Sequence, residues 1–324
     1  MSTPKHDAAD LQTMLDDIVA EVKERAPKIH EEACTAAEER DMPAPRKADF
    51  AKFGMAIFTR DGETIKAGNA GVGFPIQSIS KVFALEVALE ALGEKLWQRV
   101  GREPSGDAFN SIIDLERNDG IPRNPFVNAG ALVVVDTLLD LEGDPNDQVM
   151  AFVKHHLDGE AVSFDPQVMA SDRSGGDLNR SLMFMAKHHD NLRHDVSEVM
   201  EAYVHQCAIT LDCAGLAKVG RFLMHDGPDA RTERGYGAAR RARRVLSIMM
   251  LCGLYDGSGD FSYRVGLPAK SGVGGGILAV APHTASIAAW SPALDPMGNS
   301  WLGVLGLELL ARRTDWSVFG ATRD

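Results

Sequence analysis

Two strand-turn-strand signals lie near opposite ends of this chain, and the long stretch between them reads as helix. Gly54–Thr59 is a short apolar run, and the turn Arg60-Asp61-Gly62-Glu63 leads into Glu63–Gly68, a β-hairpin pattern. The second hairpin is Gly275–Ala281 and Thr284–Trp290 around Pro282-His283. From Ser78 to about Asp260 the pattern is helical. Ser78–Leu92 stops at Gly93, and Pro145–Leu157 has Asp144 to cap it and proline at its first position. Further helices are expected at Ala129–Leu141, Asn179–His188, Val196–Cys207, Cys213–Met224, Arg244–Cys252 and Asn299–Arg312, and residues 11–39 form one amphipathic helix or two. Strands that must pair across a helical block imply an α/β (α+β) fold, an antiparallel sheet flanked by helices with an all-α domain inserted. Hairpins, not alternating strand-helix units, argue against a doubly wound sheet. The expected division is a helical segment over residues 1–40, a discontinuous sheet domain over 41–77 plus 261–324, and a mainly helical domain over 78–260.

Composition narrows the function classes. With 324 residues, 44% of them hydrophobic, a sizeable core is available, and a net charge of −12 argues against a nucleic-acid partner. The locally basic segment Arg231–Arg244 reads as a solvated loop running into a helix. Cys34, Cys207, Cys213 and Cys252 form no C-x-x-C pair or Cys/His ligand cluster, which argues against structural zinc and fits a reducing compartment. His155-His156 and His188-His189 are adjacent pairs whose side chains a helix points apart, so they read as surface residues. No stretch approaches the ~20 apolar residues of a membrane span, and the N-terminus lacks an apolar leader core. The expectation is a cytoplasmic protein with no membrane partner, no metal and no organic cofactor.

The chemistry concentrates at Ser78-Ile79-Ser80-Lys81, opening an apolar helix. Three residues is just under one helical turn, so Ser78 and Lys81 share a face. A serine hydroxyl is a poor nucleophile at neutral pH, and a lysine that sheds its proton in a dry pocket can serve as its base. The same spacing opens the active site of serine β-lactamases and penicillin-binding proteins, although a four-residue pattern with two fixed positions also recurs by chance.

Longer blocks add to it. Gly73–Phe83 (GFPIQSISKVF), Arg102–Ser111 (REPSGDAFNS), Gly120–Leu132 (GIPRNPFVNAGAL), Tyr203–Ile209 (YVHQCAI), Cys252–Asp256 (CGLYD), Val265–Ile277 (VGLPAKSGVGGGI) and Gly298–Ser300 follow in order from about Asp41 to Leu310. With them the chain resembles the serine-dependent glutaminases, a family similar in fold to the β-lactamases and transpeptidases. The resemblance implies hydrolysis of L-glutamine to L-glutamate and ammonia through an acyl-serine, and a homo-oligomer, dimer or tetramer. It implies Ser78 as nucleophile, Lys81 as base, Tyr203 as proton relay, and Gln77, Asn128, Asn179 and Tyr255 around the substrate. Val273 would supply, with Ser78, the oxyanion-hole N–H groups, and Lys270-Ser271-Gly272 resembles the lysine-threonine-glycine strand of β-lactamases. A cationic Lys270 would help Lys81 shed its proton, and the glycines at 272 and 274–276 would let backbone approach substrate closely.

Each residue also has a plainer reading. Tyr203 on an apolar helix is by itself a core tyrosine, Asn128 is a candidate N-cap for the helix that follows, the glycine run could be a bulge, and Glu103-Pro104-Ser105-Gly106 reads as scaffold. Two positions depart from the family pattern. Asp172 stands for a glutamate that holds the substrate ammonium, withdrawing the charge by about one methylene, and a misplacement of about 1 Å can cost about 10²-fold in rate. Asp41 falls where the family has an active-site tyrosine. These leave open two other readings, a related amidase with a shifted substrate and a catalytically silent amino-acid-binding homologue.

Overall fold

The computed structural model describes residues 6–105, 112–170, 176–224 and 233–320. In chain order the elements are α1 (Ala8–Glu38), β1 (Gly54–Thr59), β2 (Thr64–Gly68), β3 (Phe74–Pro75), α2 (Ser80–Leu92), α3 (Ile112–Arg117), α4 (Asn128–Leu138), α5 (Gln148–His156), β4 (Ser163–Phe164), α6 (Pro166–Ala170), α7 (Asp177–His188), α8 (Val196–Ala208), β5 (Ile209–Leu211), α9 (Cys213–Val219), α10 (Glu233–Cys252), α11 (Ser258–Val265), β6 (Ala269–Ser271), β7 (Gly276–Ala281), β8 (Ala285–Trp290) and α12 (Trp301–Thr314).

The two hairpins meet. The main sheet is antiparallel in the order β2-β1-β8-β7-β6, with Ala56 opposite Ala288 and Ala288 opposite Leu278. Both of its faces are buried, and the period of two divides each strand between them. Ala56, Phe58, Leu278, Val280, Ala288 and Trp290 pack with the helical block, while Met55, Ile57, Ile277, Ala279, Ile287 and Ala289 pack with α1 and α12. That is why β7 and β8 read as continuous apolar runs. A third cluster, inside the helical block, joins α4, α7 and α8.

Helix α1 is one helix that continues through Pro27. Leu11, Leu15, Ile18, Val22, Ala26, Ala33 and Ala37 are buried along one stripe on both sides of the proline, and the helix lies on β2 and α12, so packing holds it together where proline removes a backbone donor. The expected helices occur with ends shifted by a few residues, except that α10 begins at Glu233 and not at Arg244. Arg231 lies outside the described residues, and the arginines of that segment from Arg234 onward are helical: Arg241 pairs with Glu86 and Glu90, and Arg244 with Glu94. The adjacent histidines do not point apart. Their rings lie 5.2 Å and 5.0 Å from one another, and His156 packs against Phe152 and Phe222.

Strands of two or three residues leave no periodic signal, so a second sheet, β3-β5-β4, is absent from the sequence-based expectations. It matters for the site. Phe74 pairs with Leu211, Pro75 with Thr210, and Ile76 N–H donates to Ile209 O at 2.8 Å, fixing the backbone immediately before the Gln77–Ile79 turn.

Candidate active site

Gln77 has φ +49°, left-handed backbone that a side chain adopts at a cost of about 1–3 kcal/mol. It turns the chain from β3 into the 3₁₀ turn Gln77–Ile79, with half-buried Ser78 at its centre, and α2 follows. This helix is buried nearly all round, so Lys81, one turn on from Ser78, is 1% exposed.

The Lys81 amine has no carboxylate partner among the described residues. Its Nζ donates to Phe126 O at 3.2 Å and to Asn128 Oδ1 at 2.7 Å. Two donor bonds use both hydrogens of a neutral amine and leave one tetrahedral direction for its lone pair. Burial pushes the Lys81 pKa down to about 8. Asn128 is thereby oriented: its carbonyl faces Lys81 and its amide donates to Asn179 Oδ1 at 3.1 Å. It is the first residue of α4 and not its cap, which is Val127. Phe126 is held in turn by Asn124, a buried residue that sequence reasoning missed, whose Oδ1 accepts from the N–H groups of Phe126 and Val127. The signal for it was an asparagine preceding proline, a turn-forming pair.

Tyr255 also adopts left-handed backbone, φ +50°, and its phenol hydrogen-bonds Ser78. Burial pushes this phenol up to about 12, and it pushes Tyr203, on α8, well above the ordinary range. Lys270 is fully buried, 4.5 Å from the centre of the Tyr255 ring, and donates to Ser271 O at 2.6 Å. Burial first, and then the charge of Lys81, hold its pKa well below the ordinary lysine value. Burial is what lowers Lys81, in place of the charge of Lys270 that the sequence suggested.

Strand β6 brings the other wall. A Cβ at Gly272 would sit 2.5 Å from Ile76 O and 3.4 Å from Ser78 N, and one at Gly274 would sit 2.0 Å from Pro75 O. The glycines therefore admit the protein's own β3 backbone on either side of exposed Val273, with Gly272 against Ser78 N. Ser271 donates to Asn299 Oδ1 at 2.7 Å, while Asn299 Nδ2 donates to Leu254 O at 3.2 Å, tying β6 to the Tyr255 turn. A cavity of about 550 Å³ opens beside Tyr255, lined also by Phe126, Val127 and Cys252, and by Pro104 and Ser105 of the segment read as scaffold; neither Ser78 nor Lys81 lines it. Asp172 lies outside the described residues. Asp41 is exposed in the turn that ends α1, and among the described residues its side chain makes no hydrogen bond or ion pair.

Among the described residues no group of histidine, cysteine, aspartate and glutamate could hold a metal ion, and no helix is long and apolar enough to cross a membrane. Residues 39–319 match the family model for glutaminase. The chain belongs to the glutaminase family. It is 48% identical over 314 residues to a glutaminase of Rhizobium johnstonii, covering 96% of this chain and 99% of that one. It is also 48% identical over 314 residues to a thermolabile glutaminase of Rhizobium etli, with the same coverage of 96% and 99%. A Bacillus glutaminase crystal structure superposes with a TM-score of 0.77 at 32% identity, over 91% of this chain and 99% of that one. A Bacillus subtilis glutaminase, crystallised as its covalent complex with 5-oxo-L-norleucine after reaction with 6-diazo-5-oxo-L-norleucine, superposes at 0.76 with 28% identity, over 95% and 99%. The fold is therefore the β-lactamase-like fold of the glutaminases, with its antiparallel sheet assembled from both ends of the chain.

Proposed function

We propose that Ser78 is the nucleophile through which this glutaminase hydrolyses L-glutamine to L-glutamate and ammonia. The observation that carries the reading is Lys81: a fully buried amine one helical turn from the serine, held by two neutral acceptors and depressed to about 8. A near-neutral pKa suits a group that must both take and return a proton.

Ser78 Oγ attacks the side-chain amide carbon while its proton passes to Lys81, with Tyr203 in the relay. The N–H groups of Ser78 and Val273 hold the oxyanion of the tetrahedral intermediate. The intermediate collapses as the C–N bond breaks and the proton moves to the departing ammonia. Water then attacks the acyl carbon, giving its proton to Lys81, and collapse returns Ser78 and releases glutamate. Gln77, Asn128, Asn179, Tyr255 and Asp172 surround the substrate, and Lys270, Ser271 and Gly272 support the wall beside it. A homo-oligomer, dimer or tetramer, in the cytoplasm completes the proposal; light scattering and cell fractionation read those two points. A shift to another amide, the reading drawn from Asp41, gains no support from an exposed side chain without a site partner.

The test measures ammonia release from L-glutamine together with labelling by 6-diazo-5-oxo-L-norleucine. Wild type turns over and takes one label, on a peptide containing Ser78. Ser78→Ala loses about 10⁴-fold or more in kcat and takes no label. Full turnover in Ser78→Ala would remove the serine from the mechanism.

A further inference from the structure

Lys81 is held by two amide groups, and each of them is pinned from its far side. One is the side chain of Asn128, whose Oδ1 accepts from the lysine while its Nδ2 donates to Asn179. The other is the peptide group between Phe126 and Val127. Its carbonyl accepts from Lys81 Nζ at 3.2 Å, and its N–H donates to Asn124 Oδ1 at 3.1 Å. A trans peptide is planar with its C=O and N–H pointing opposite ways, so fixing the N–H aims the carbonyl at the amine. The same Asn124 oxygen accepts from Phe126 N–H at 2.9 Å, which fixes the preceding peptide too. Asn124 is itself held hard: it is 1% exposed, and its Nδ2 donates to Glu103 O at 2.9 Å. A Cβ at Gly130 of α4 would lie 1.9 Å from Asn124 O, and one at Gly101 would lie 2.5 Å from Arg123 O. Both neighbours thus close on this turn at a distance that only glycine permits.

We propose that Asn124 is a positioning residue for the glutaminase reaction: through the Phe126–Val127 peptide it aims one of the two acceptors that fix the Lys81 amine and leave its lone pair a single direction. This inference rests on the assignment of Lys81 as the base. Without Asn124 the peptide is free to turn, and the buried amine loses one of its two acceptors. An acceptor favours the charged form, so its loss lowers the Lys81 pKa further. The titratable groups set against Lys81 are Cys207 on α8 and Lys270 on β6, and burial favours the neutral form of both. Charges on the helices packed against α2 are spent elsewhere or exposed. Asp136 of α4 binds Arg99, Arg241 and Arg244 of α10 bind Glu86 and Glu94, and Lys154 and His155 of α5 are exposed.

The experiment is the pH dependence of kcat on L-glutamine for wild type, Asn124→Ala, Lys81→Met and the double variant, with melting temperatures measured in parallel. Asn124→Ala is expected to lower the plateau kcat by about tenfold and to move the midpoint of the climb down by about one pH unit. A turn that had only loosened and admitted water would move the midpoint the other way, toward the ordinary lysine value. Asn124→Ser, whose hydroxyl can accept from the same N–H groups, is expected to recover to within about threefold of wild type. In Lys81→Met, adding Asn124→Ala is expected to change the residual rate by less than about twofold, because the amine it serves is gone. A midpoint that stays or rises, an undiminished kcat, or a tenfold loss in the Lys81→Met background overturns the proposal. If Asn124→Ala does not fold, Asn124→Leu, which fills the same space without an acceptor, is read in the same way. Failure of the base assignment reads differently: Lys81→Met would then keep its turnover, and the residue that serves that lysine would fall with it.

Discussion

The two ends of α2 carry opposite charges and treat them in opposite ways. At the N-terminal end Lys81 is buried with only neutral acceptors, Phe126 O and Asn128 Oδ1. In the C-terminal half and just beyond it, Glu86, Glu90 and Glu94 face α10, where Arg241 reaches Glu86 at 2.7 Å and Glu90 at 3.3 Å and Arg244 pairs with Glu94. Burial dominates at both ends: it lowers Lys81 to about 8 and, against the pull of Arg241, raises Glu86 to about 7. Burial thus brings both groups within reach of neutral pH. The one left without a counter-ion is the proposed proton acceptor, and the one given a counter-ion joins two helices.

Removing the amine should separate the two ends most sharply. Lys81→Met is expected to lower kcat/KM by about 10³-fold. With the neutral amine as the proposed base, the wild-type rate should climb with pH, about tenfold per unit below about 8 and level above it, and the climb should be absent in the variant. A wild-type profile flat from pH 6 to 9 would break the contrast. The stability slopes should also oppose one another. For Lys81 the unfolded chain holds the proton between about 8 and the ordinary value of 10.5, so stability rises with pH across that window. For Glu86 the folded chain holds the proton between the ordinary value of 4.5 and about 7, so its contribution is complete below 4.5 and is lost as pH rises through 7.

The next effect is on folding alone. Arg241→Met leaves Glu86, 5% exposed, without its cation and should cost about 3 kcal/mol in urea unfolding, with kcat within about twofold of wild type. Glu86→Gln added to it should recover most of the loss and flatten the slope between pH 4.5 and 7. A large fall in kcat for Arg241→Met would mean that the two ends are coupled. The smallest effect belongs to the outermost pair. Glu94 is 61% exposed, and Arg244→Ala should change stability by less than about 0.5 kcal/mol.

Much of this was legible before any coordinate. The hairpins announced themselves through apolar runs around Gly62 and Pro282-His283, and helix ends through Gly93 and Asp144. Ser78 and Lys81 were visible because one helical turn is a local spacing. Asn128 was ambiguous between cap and ligand, since both readings use the same amide at a helix start. The structure gives the cap to Val127 and turns the Asn128 carbonyl to Lys81, 47 residues away in the chain. The 74–75, 163–164 and 209–211 strands were invisible because two or three residues carry no period, and only their mutual pairing makes them strands.

By itself, the sequence determined the classes of element, their order, the family and the identity of the groups able to do chemistry, because these depend on neighbours within a few residues. Tertiary structure alone decided that Lys81 sits where its proton is easily lost and why the glycines beside Val273 are glycines. Those properties depend on burial and on close backbone approach between segments brought together from across the fold, and neither is written in any local stretch of chain.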